Sequence, residues 1–332
     1  MKSEGRMTSR AGAPQRGPLA VALFAVLSAL GRILIVVWGA ATAGFIALRA
    51  IPGDPVDVML GVQAQVSESV REQIRVDWGL DQSPVVQYLQ YLGRVAQGDL
   101  GVSYQLRKPV IEVIAQQAVP TVALTLGALL LAIILASSAA VLGRGKKMKR
   151  VVSCVELVVI SSPTFWIGLL LLAVFSFQLN WFPVSSTQGL SSLVLPSLTL
   201  ALPVAGIVSQ VLRQGLDFAE GQPFSLTARS RGVTPAQLMT RHTLRHAAMD
   251  TLTLSGYLVG SLLGGAVLVE TVFARPGLGQ VAIRAIIGRD LPVILGIIVV
   301  AAVVFALINL LVDASYRWLD PRLRVSQVKV PS

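Results

Sequence analysis

The chain has 332 residues, of which 54% are hydrophobic and only 14% are charged. Soluble domains carry about 25% charged residues, and here the apolar residues come in runs of about 20, enough to span the hydrocarbon layer as helices. This composition excludes a soluble globular protein and predicts an all-α polytopic membrane protein. The net charge of +11 fits surplus Lys and Arg on cytoplasmic loops, so no nucleic-acid partner is predicted.

The N-terminal segment, residues 1–31, is predicted to be cytoplasmic. It starts with a basic tail rich in Gly, Ser and Pro and continues into an apolar lead-in at 18–30, expected to be interfacial or extended. The first spanning helix is predicted at 32–51. In the alternative interpretation, residues 18–30 are the apolar core of a cleaved signal peptide.

A polar region follows the first span. The first span and this polar region together form the predicted segment 32–116. The sequence IPGDP at 51–55 breaks the first helix. Ser69 with Glu72 predicts the start of one short helix, and Ser83 followed by Pro84 predicts the start of a second, amphipathic one that lies against protein or on the membrane surface. Residues 52–116 hold eight acidic and five basic side chains, unlike the other polar segments, and are therefore placed outside.

Five further spans are predicted within a transmembrane core at 117–316, and a cytoplasmic tail at 317–332 follows. With alternating sides, 19 of the 28 Lys and Arg residues fall on cytoplasmic segments. This asymmetry predicts six spans with both termini in the cytoplasm of a bacterial inner membrane. The five spans lie at about 117–142, 151–178, 191–213, 248–273 and 292–316.

Prolines interrupt the central spans, and each removes an intrahelical hydrogen bond. Helices broken at membrane depth often line substrate routes, although a packing kink is an equal alternative for any one of them. The candidate pore-lining residues are Pro163, Pro196, Pro203, Gly264 and Gly265.

Acidic residues within the spans lie near their ends rather than at the midplane. A charge at the bilayer centre costs about 2.5–3.5 kcal/mol on insertion scales. For Glu156 and Asp313 we therefore predict structural pairs with a nearby Arg or Lys. A proton-relay carboxylate would more often lie at the midplane, which argues against a proton-coupled carrier.

Catalytic signatures are missing from the sequence. No GxxxxGK[ST] phosphate loop occurs, so the chain is not expected to hydrolyse ATP. HExxH, GxSxG and Cys/His clusters are also missing, and Cys154 is the single cysteine. His242 and His246 lie four residues apart and could share a metal, but without a third ligand nearby a docking face is preferred. No catalytic, cofactor or metal site is predicted.

The stretch from Ser225 to Ala247 is a basic island between two long apolar segments. Capping chemistry predicts two short helices within it. Ser225 caps the first, Gly232 ends it in the left-handed conformation, and Thr234 caps the second with Pro235 at its first position. So many specified residues on an aqueous loop indicate that another molecule docks there.

Motifs along nearly the whole chain, from about Arg32 to Arg324, resemble the inner-membrane permease subunits of binding-protein-dependent ABC importers for dipeptides, oligopeptides and nickel. Any one motif is weak, but their order and spacing together are specific. They are IPGDP (51–55), GLDQSPVVQYLQYLG (79–93), GDLGVS (98–103), SSPTFWIGLLL (161–171), WFPVS (181–185), LPSLTLALP (195–203), ETVFARPGLGQ (270–280), IGRDLPVILG (287–296) and LDPRLR (319–324).

The resemblance implies that 217–247 is the cytoplasmic coupling loop, between the fourth and fifth spans, which seats in a cleft on the ATPase subunit. The chain departs from the family pattern at Pro223 to Leu226, before the loop's core, and at Asp250, where the family usually carries proline. The residues that fall on the family's TAR-x-x-G and RH-x-LR motifs, or lie among them, are Thr227, Ala228, Arg229, Arg231, Gly232, Arg241, His242 and Arg245.

The resemblance further implies a translocation pore for peptides that has no ATPase site of its own. Its expected partners are a homologous second permease, two ATPase subunits docking on 225–247, an extracytoplasmic solute-binding protein and membrane lipid. Nickel or metal chelates are the alternative substrates. A self-contained secondary transporter or channel is the alternative from another class, and it would predict an inverted repeat and midplane ionisable residues. An intramembrane enzyme would need paired catalytic residues.

Overall fold

The computed structural model describes residues 18–50, 56, 67–77, 79–143, 145–184, 189–222, 230 and 255–319. Across these ranges the chain is helical, and the β contact recorded there is an isolated bridge between Val102 and Pro109. The predicted all-α class is confirmed. The helices are α1 (Pro18–Arg49), α2 (Glu68–Asp77), α3 (Pro84–Ala96), α4 (Val110–Leu142), α5 (Lys146–Ser161), α6 (Thr164–Leu171, continued by a π-helical segment Leu172–Gln178), α7 (Ser191–Glu220), α8 (Ser255–Val272), α9 (Leu278–Ile287) and α10 (Leu291–Leu319).

Four of these helices, α1, α4, α7 and α10, are long and apolar enough to cross a membrane. The span predicted at 151–178 is instead a helix pair, α5 and α6, bent by 108°, because Pro163 interrupts the backbone hydrogen bonding between them. If the pair is one span, the number rises to five. The described part of α8 contributes a shorter apolar helix, so the count of six remains a prediction.

The first helix is longer than the sequence suggested. α1 begins at Pro18 and continues unbroken to Arg49, so the lead-in at 18–30 is helical and continuous with the first span rather than separate from it. Proline is well tolerated at the first position of a helix, and no proline follows it before the helix ends. The helix covers the two apolar runs that flank Arg32.

The most extensive packing in the bundle joins α4 to α7 along a seam of small residues. Four buried alanines recur at every fourth position of α4, and a Cβ on Gly127 would lie 2.8 Å from the Ser197 hydroxyl oxygen of α7. Lipid tails are as apolar as the helices, so membrane helices associate through close packing at small residues. The alanines are Ala128, Ala132, Ala136 and Ala140.

A second layer joins α1 to α10. The Arg32 guanidinium forms an ion pair with the Asp313 carboxylate at 3.1 Å, which confirms the partner predicted for Asp313. Gly44 of α1 lies against Ile298 of α10, with 3.1 Å from its built Cβ to the Ile298 Cδ1. The external helix α3 packs on the same pair of helices.

The polar region that follows α1 contains both predicted short helices. α3 starts at Pro84 after Ser83, as the sequence indicates, whereas α2 starts at Glu68, so Ser69 lies within the helix rather than before it. Tyr88 and Tyr91 of α3 pack against Phe45 of α1, with ring centroids 5.4 and 5.9 Å apart. One face of α3 therefore lies against protein.

Packing between α5 and α7 gives a first prediction. A Cβ on Gly206 of α7 would lie 2.9 Å from the Ile160 Cγ1 of α5. Gly206→Val should therefore lower the melting temperature of the detergent-purified chain, because overpacking a fitted contact costs about 1–3 kcal/mol. The matched control is Gly39→Val, where a Cβ meets nothing within 4 Å. Equal melting temperatures for the two variants would contradict the packing described here.

Candidate functional site

The residues predicted to couple the chain to an ATPase all lie outside the described ranges. Their neighbour Ser230 is described, and it is helical and exposed. The structure therefore describes the helices on both sides of that loop. These undescribed positions are Thr227, Ala228, Arg229, Arg231, Gly232, Arg241, His242, Arg245 and the second histidine, His246.

A buried carboxylate organises the end of the bundle at which α8 ends and α9 begins. Glu270, in the last turn of α8, is only 1% exposed. Its Oε1 accepts a hydrogen bond from the Thr121 hydroxyl of α4 at 2.6 Å. Its Oε2 accepts from the backbone amides of Gly279 at 2.8 Å and Gln280 at 3.3 Å, in the first turn of α9. A carboxylate at a helix N-terminus satisfies free amides and the helix dipole. We call this group the Glu270 clasp.

Glycines allow the backbone to come this close to the carboxylate. A Cβ on Gly277 would lie 2.1 Å from the Glu270 carboxylate, and a Cβ on Gly279 would lie 2.4 Å from the Val267 Cα. The Thr121 hydroxyl oxygen also accepts from the Leu278 amide at 2.8 Å. The PGLG turn is thus shaped to fold α9 back onto α8 and α4.

Arg275 extends the clasp to α7. Its guanidinium is buried and donates to the Ser192 carbonyl at 2.8 Å and to the Ser192 hydroxyl at 3.0 Å. Ser192 lies in the first turn of α7. The segment between α8 and α9 therefore holds α4, α7, α8 and α9 together near the start of α7.

A second buried carboxylate joins the α9–α10 turn to the loop before α4. Asp290 accepts from the Ser103 hydroxyl and from the backbone amide of Tyr104 at 3.1 Å. Burial, and after it the charge of Asp290, raises the pKa of Tyr104 to about 12, so its phenol stays protonated. The Gln105 amide side chain donates to the Gly288 carbonyl at 2.8 Å.

The opposite end of the bundle is held together by contacts between α5 and α7. Glu156 of α5 forms an ion pair with Arg213 of α7, and their side chains are only 5% and 11% exposed. Ser153 accepts from the same guanidinium at 3.2 Å, and further along Lys149 pairs with Asp217 at 2.8 Å. The partner predicted for Glu156 is confirmed. The braced part of α7 is the part that leads into the undescribed loop.

The candidate pore residues fall into different environments. Pro196 is fully buried within the bundle, and Pro203 is half-buried. A Cβ on Gly265 would lie 2.6 Å from the Leu200 Cδ1, so this glycine is a packing position between α8 and α7. Pro163 is exposed at the bend between α5 and α6, and Gly264 is exposed with nothing within 4 Å of a built Cβ.

Gly264 belongs to an outward-facing stripe on α8. The stripe follows helical spacing, and it lies opposite Leu262, Ala266 and Val269, which are buried in the bundle core. We call the stripe the α8 outer face. Its residues are Ser261, Gly264, Leu268 and Thr271.

The motifs that carry Glu270 and Asp290 could be recognised in the sequence, but the structural roles of these two carboxylates could not. ETVFARPGLGQ and IGRDLPVILG carry the family resemblance, yet nothing in either one indicates Thr121 or Ser103 as a partner 149 or 187 residues away. One sequence signal could have located the Glu270 site. It is an acid at the end of a span followed within ten residues by Gly-x-Gly, a pattern that suits a carboxylate bound at a helix N-terminus.

Comparison with known proteins now identifies the class. Residues 110–325 match the family described as binding-protein-dependent transport system inner membrane component, and the chain belongs to that family. It is a multi-pass inner-membrane permease subunit of an ATP-binding-cassette importer. Such permeases work with separate ATPase subunits and a binding protein.

Particular relatives agree with this assignment. A peptide transport system permease protein of Brucella abortus is 37% identical over 291 residues, covering 84% of this chain and 92% of the relative. The glutathione transport system permease protein GsiC of Escherichia coli K12 is 35% identical over 285 residues, with the same coverage.

Solved structures show the same fold. The MetNI methionine ABC transporter, in an inward-facing conformation, matches with a TM-score of 0.54 at 19% identity, over 63% of this chain and 97% of that one. An amino acid ABC transporter with histidines matches with a TM-score of 0.50 at 18% identity, over 62% and 94%. The permease fold of such transporters is therefore the fold of this chain.

The Glu270 clasp gives the next prediction. Glu270→Ala should lower the melting temperature of the purified chain markedly, because each buried donor left without its acceptor costs about 1–3 kcal/mol. Glu112→Ala is the matched control, since Glu112 is exposed on the first turn of α4 and accepts only from Gln116 within the described residues. If Glu270→Ala has the same melting temperature as the Glu112→Ala control, then these helix ends are held together by packing alone.

Proposed function

We propose that this chain forms half of a peptide translocation pore, with a homologous second permease as the other half. The observation that carries the proposal is the 35–37% identity, over most of the chain, to permeases named for peptide and glutathione transport. Glutathione is itself a tripeptide, so both names indicate short peptides. The alternative substrates are nickel or metal chelates, which the same scaffold carries in the resembling family.

The coupling loop is proposed at 217–247, with two ATPase subunits docking on 225–247. Arginines in its two capped helices would make bidentate contacts with acidic groups of the ATPase. Both termini are proposed to be cytoplasmic, and the region at 52–116 external, where it would meet the solute-binding protein. The charge asymmetry of the loops supports this orientation.

The route of coupling is proposed to run through α7. This helix leads into the loop at one end and is tied to α5 by the Glu156–Arg213 ion pair. At its other end it is tied by Arg275 to the segment between α8 and α9. A displacement of the loop would therefore move α7 together with α5. ATP binding and hydrolysis in the partner subunits would alternate the access of the pore in this way.

The wall of the pore is proposed to include the α8 outer face. Gly264 and its neighbours on this face cover no other described part of the chain, while Pro163 is exposed at the bend between α5 and α6. A pore between two homologous permeases needs such an uncovered surface on each chain. Small and hydroxyl-bearing side chains there would leave room for a peptide and water.

The proposed substrate class is tested by ATP-driven uptake of a labelled dipeptide into proteoliposomes that hold the complete importer. Unlabelled dipeptide, glutathione, longer peptides and nickel are added as competitors. Competition by peptides alone supports the proposal, and competition by nickel alone would replace it. Uptake by the purified chain without ATPase subunits, driven by an ion gradient, would show a secondary transporter instead.

A substitution in the loop tests coupling. Gly232→Val should abolish ATP-driven uptake while membrane insertion stays normal, because a β-branched residue is strained in the left-handed turn predicted there. Gly145→Val is the matched cytoplasmic control: its backbone is extended, with φ −78° and ψ 140°, and a Cβ meets nothing within 4 Å.

Co-purification provides an independent measurement of the same role. The ATPase subunits should co-purify with the wild-type chain and with the Gly145→Val variant, and should be lost when 225–247 is deleted. Normal uptake in Gly232→Val, or full ATPase retention after the deletion, would overturn the loop assignment.

A bulky residue on the α8 outer face tests the pore. Gly264→Trp should reduce uptake at least about tenfold, because its side chain would fill space that the peptide needs, while the melting temperature of the chain stays unchanged. Gly31→Trp on α1 is the control, since a Cβ there also meets nothing within 4 Å. Equal uptake by both variants would place the pore elsewhere.

A further inference from the structure

A cavity of about 400 Å³ lies apart from the Glu270 clasp and the α8 outer face, where the end of α1 and the start of α10 meet the helices α2 and α3. Its volume falls in the range that holds a small organic molecule rather than one inorganic ion. The ends of α1 and α10 contribute mainly apolar residues, with Arg49 as the last residue of α1. Most of the other charged and hydrogen-bonding groups come from α2, from α3 and from the loop after α3.

The depth of the cavity follows from how α3 packs on α1. The Tyr88 hydroxyl of α3 shares a hydrogen bond of 2.6 Å with the Thr42 hydroxyl, inside the apolar window of α1. From Thr42 to Arg49, where the helix ends, the rise is roughly 10 Å. α3 therefore lies beside the last two turns of a membrane span, at the level of the lipid headgroups and the adjoining acyl chains.

The outer face of α3 agrees with this depth. Val85 and Leu89 are 66% and 59% exposed although both are apolar, whereas Tyr91 on the opposite face is buried. A helix with one apolar face against protein and another apolar face uncovered is typical of an interfacial position in a membrane. The cavity thus opens from a region in contact with lipid.

The charge of the cavity is positive. Among the described residues, three arginines, Arg49, Arg75 and Arg94, line it against one acid, Asp99. Arg75 pairs with acids of α2, and Arg49 donates to the Gln87 side chain at 2.9 Å. Among the described residues neither Arg49 nor Arg94 forms an ion pair. This concentration of positive charge contrasts with the acidic excess of the surrounding external region.

The cavity also contains a buried hydroxyl group that lacks a hydrogen-bond partner among the described residues. Tyr91 lines the cavity, is only 8% exposed, and its hydroxyl has no hydrogen-bond partner among the described residues. A buried hydroxyl in this condition is unfavourable unless a ligand or a water molecule satisfies it. Burial, and after it Tyr88, raises the pKa of Tyr91 to about 12, so the group is a neutral donor. Stacking on Phe45 fixes the ring.

We propose that this cavity binds the headgroup of an anionic phospholipid, with Arg49, Arg94 and the Tyr91 hydroxyl facing its phosphate. Arginine and hydroxyl donors match the acceptor oxygens of a phosphate. The apolar side, which includes Leu48 of α1 and Leu295 of α10, would receive the first methylenes of the acyl chains. The proposal depends on the proposed topology only for the leaflet, which is the external one.

A lipid explains the cavity better than a soluble anion does. A free phosphate would use the arginines but would leave the apolar side and most of the volume unused. A lipid fills both sides, and it reaches the cavity from the surface on which α3 lies. Bound at this point, it would join α3 to the α1–α10 pair and so fix the external region on the bundle.

The test measures lipid retention on the full-length chain. The purified protein is exchanged into detergent with equal amounts of phosphatidylglycerol and phosphatidylcholine, and bound lipid is counted by native mass spectrometry. Phosphatidylglycerol should be retained preferentially. Arg94→Gln should weaken this retention about tenfold and Tyr91→Phe about threefold, the losses expected for a charged and a neutral hydrogen bond.

Arg284→Gln is the matched control, because Arg284 is exposed on α9, away from the cavity, and should keep wild-type retention. Tyr91→Phe keeps the ring that stacks on Phe45, and an unchanged melting temperature would show that this variant folds. A competition arm adds inorganic phosphate and glycerol phosphate, which should displace phosphatidylglycerol poorly.

Three results would overturn the proposal. They are equal retention of the two lipids, retention in Arg94→Gln and Tyr91→Phe that matches the control, and inorganic phosphate binding as tightly as the lipid. The assay requires neither ATPase subunits nor uptake, so the Gly232→Val variant should retain phosphatidylglycerol like the wild type. Failure of the lipid proposal is thereby separated from failure of the proposed transport function.

Discussion

One end of this permease depends on a single carboxylate placed where several backbone and side-chain donors converge. Glu270 lies at the end of an apolar helix, where an isolated charge would be costly. It is tolerated because Thr121 and the first amides of α9 donate to it, and because Gly277 has no side chain to keep them apart. The same group thus ends α8, starts α9 and attaches both to α4.

The sequence predicts the parts of this structure that depend on local chemistry. Apolar run length indicated the membrane class, Ser83 and Pro84 indicated the start of α3, and the cost of a charge in lipid led to the partnered states of Glu156 and Asp313. Contacts between distant segments were beyond such reasoning. Nothing near Glu270 indicates Thr121, and the Pro163 bend of 108° depends on what α5 and α6 pack against.

The candidate pore residues show the same limit. Pro196 and Gly264 had the same predicted role, since both are candidate pore-lining residues within apolar spans. Their surroundings differ because Pro196 faces the bundle core, whereas Gly264 faces outward on α8. A helical period identifies which residues share a face, but only the neighbouring helices determine whether that face is covered. The α8 outer face could therefore be recognised only after the bundle was assembled.

The alanine seam between α4 and α7 has a mechanical consequence. α7 contains two prolines, and a helix with missing backbone hydrogen bonds is compliant to bending. α4 lies against α7 along the four alanines and supports it, so that the packed pair of helices resists bending. A stiff rod of 30 residues is about 45 Å long. Tilting it by about 10° about the end that carries Arg213 would move its far end by about 8 Å, so a small rotation at one membrane surface becomes a displacement the size of a side chain at the other.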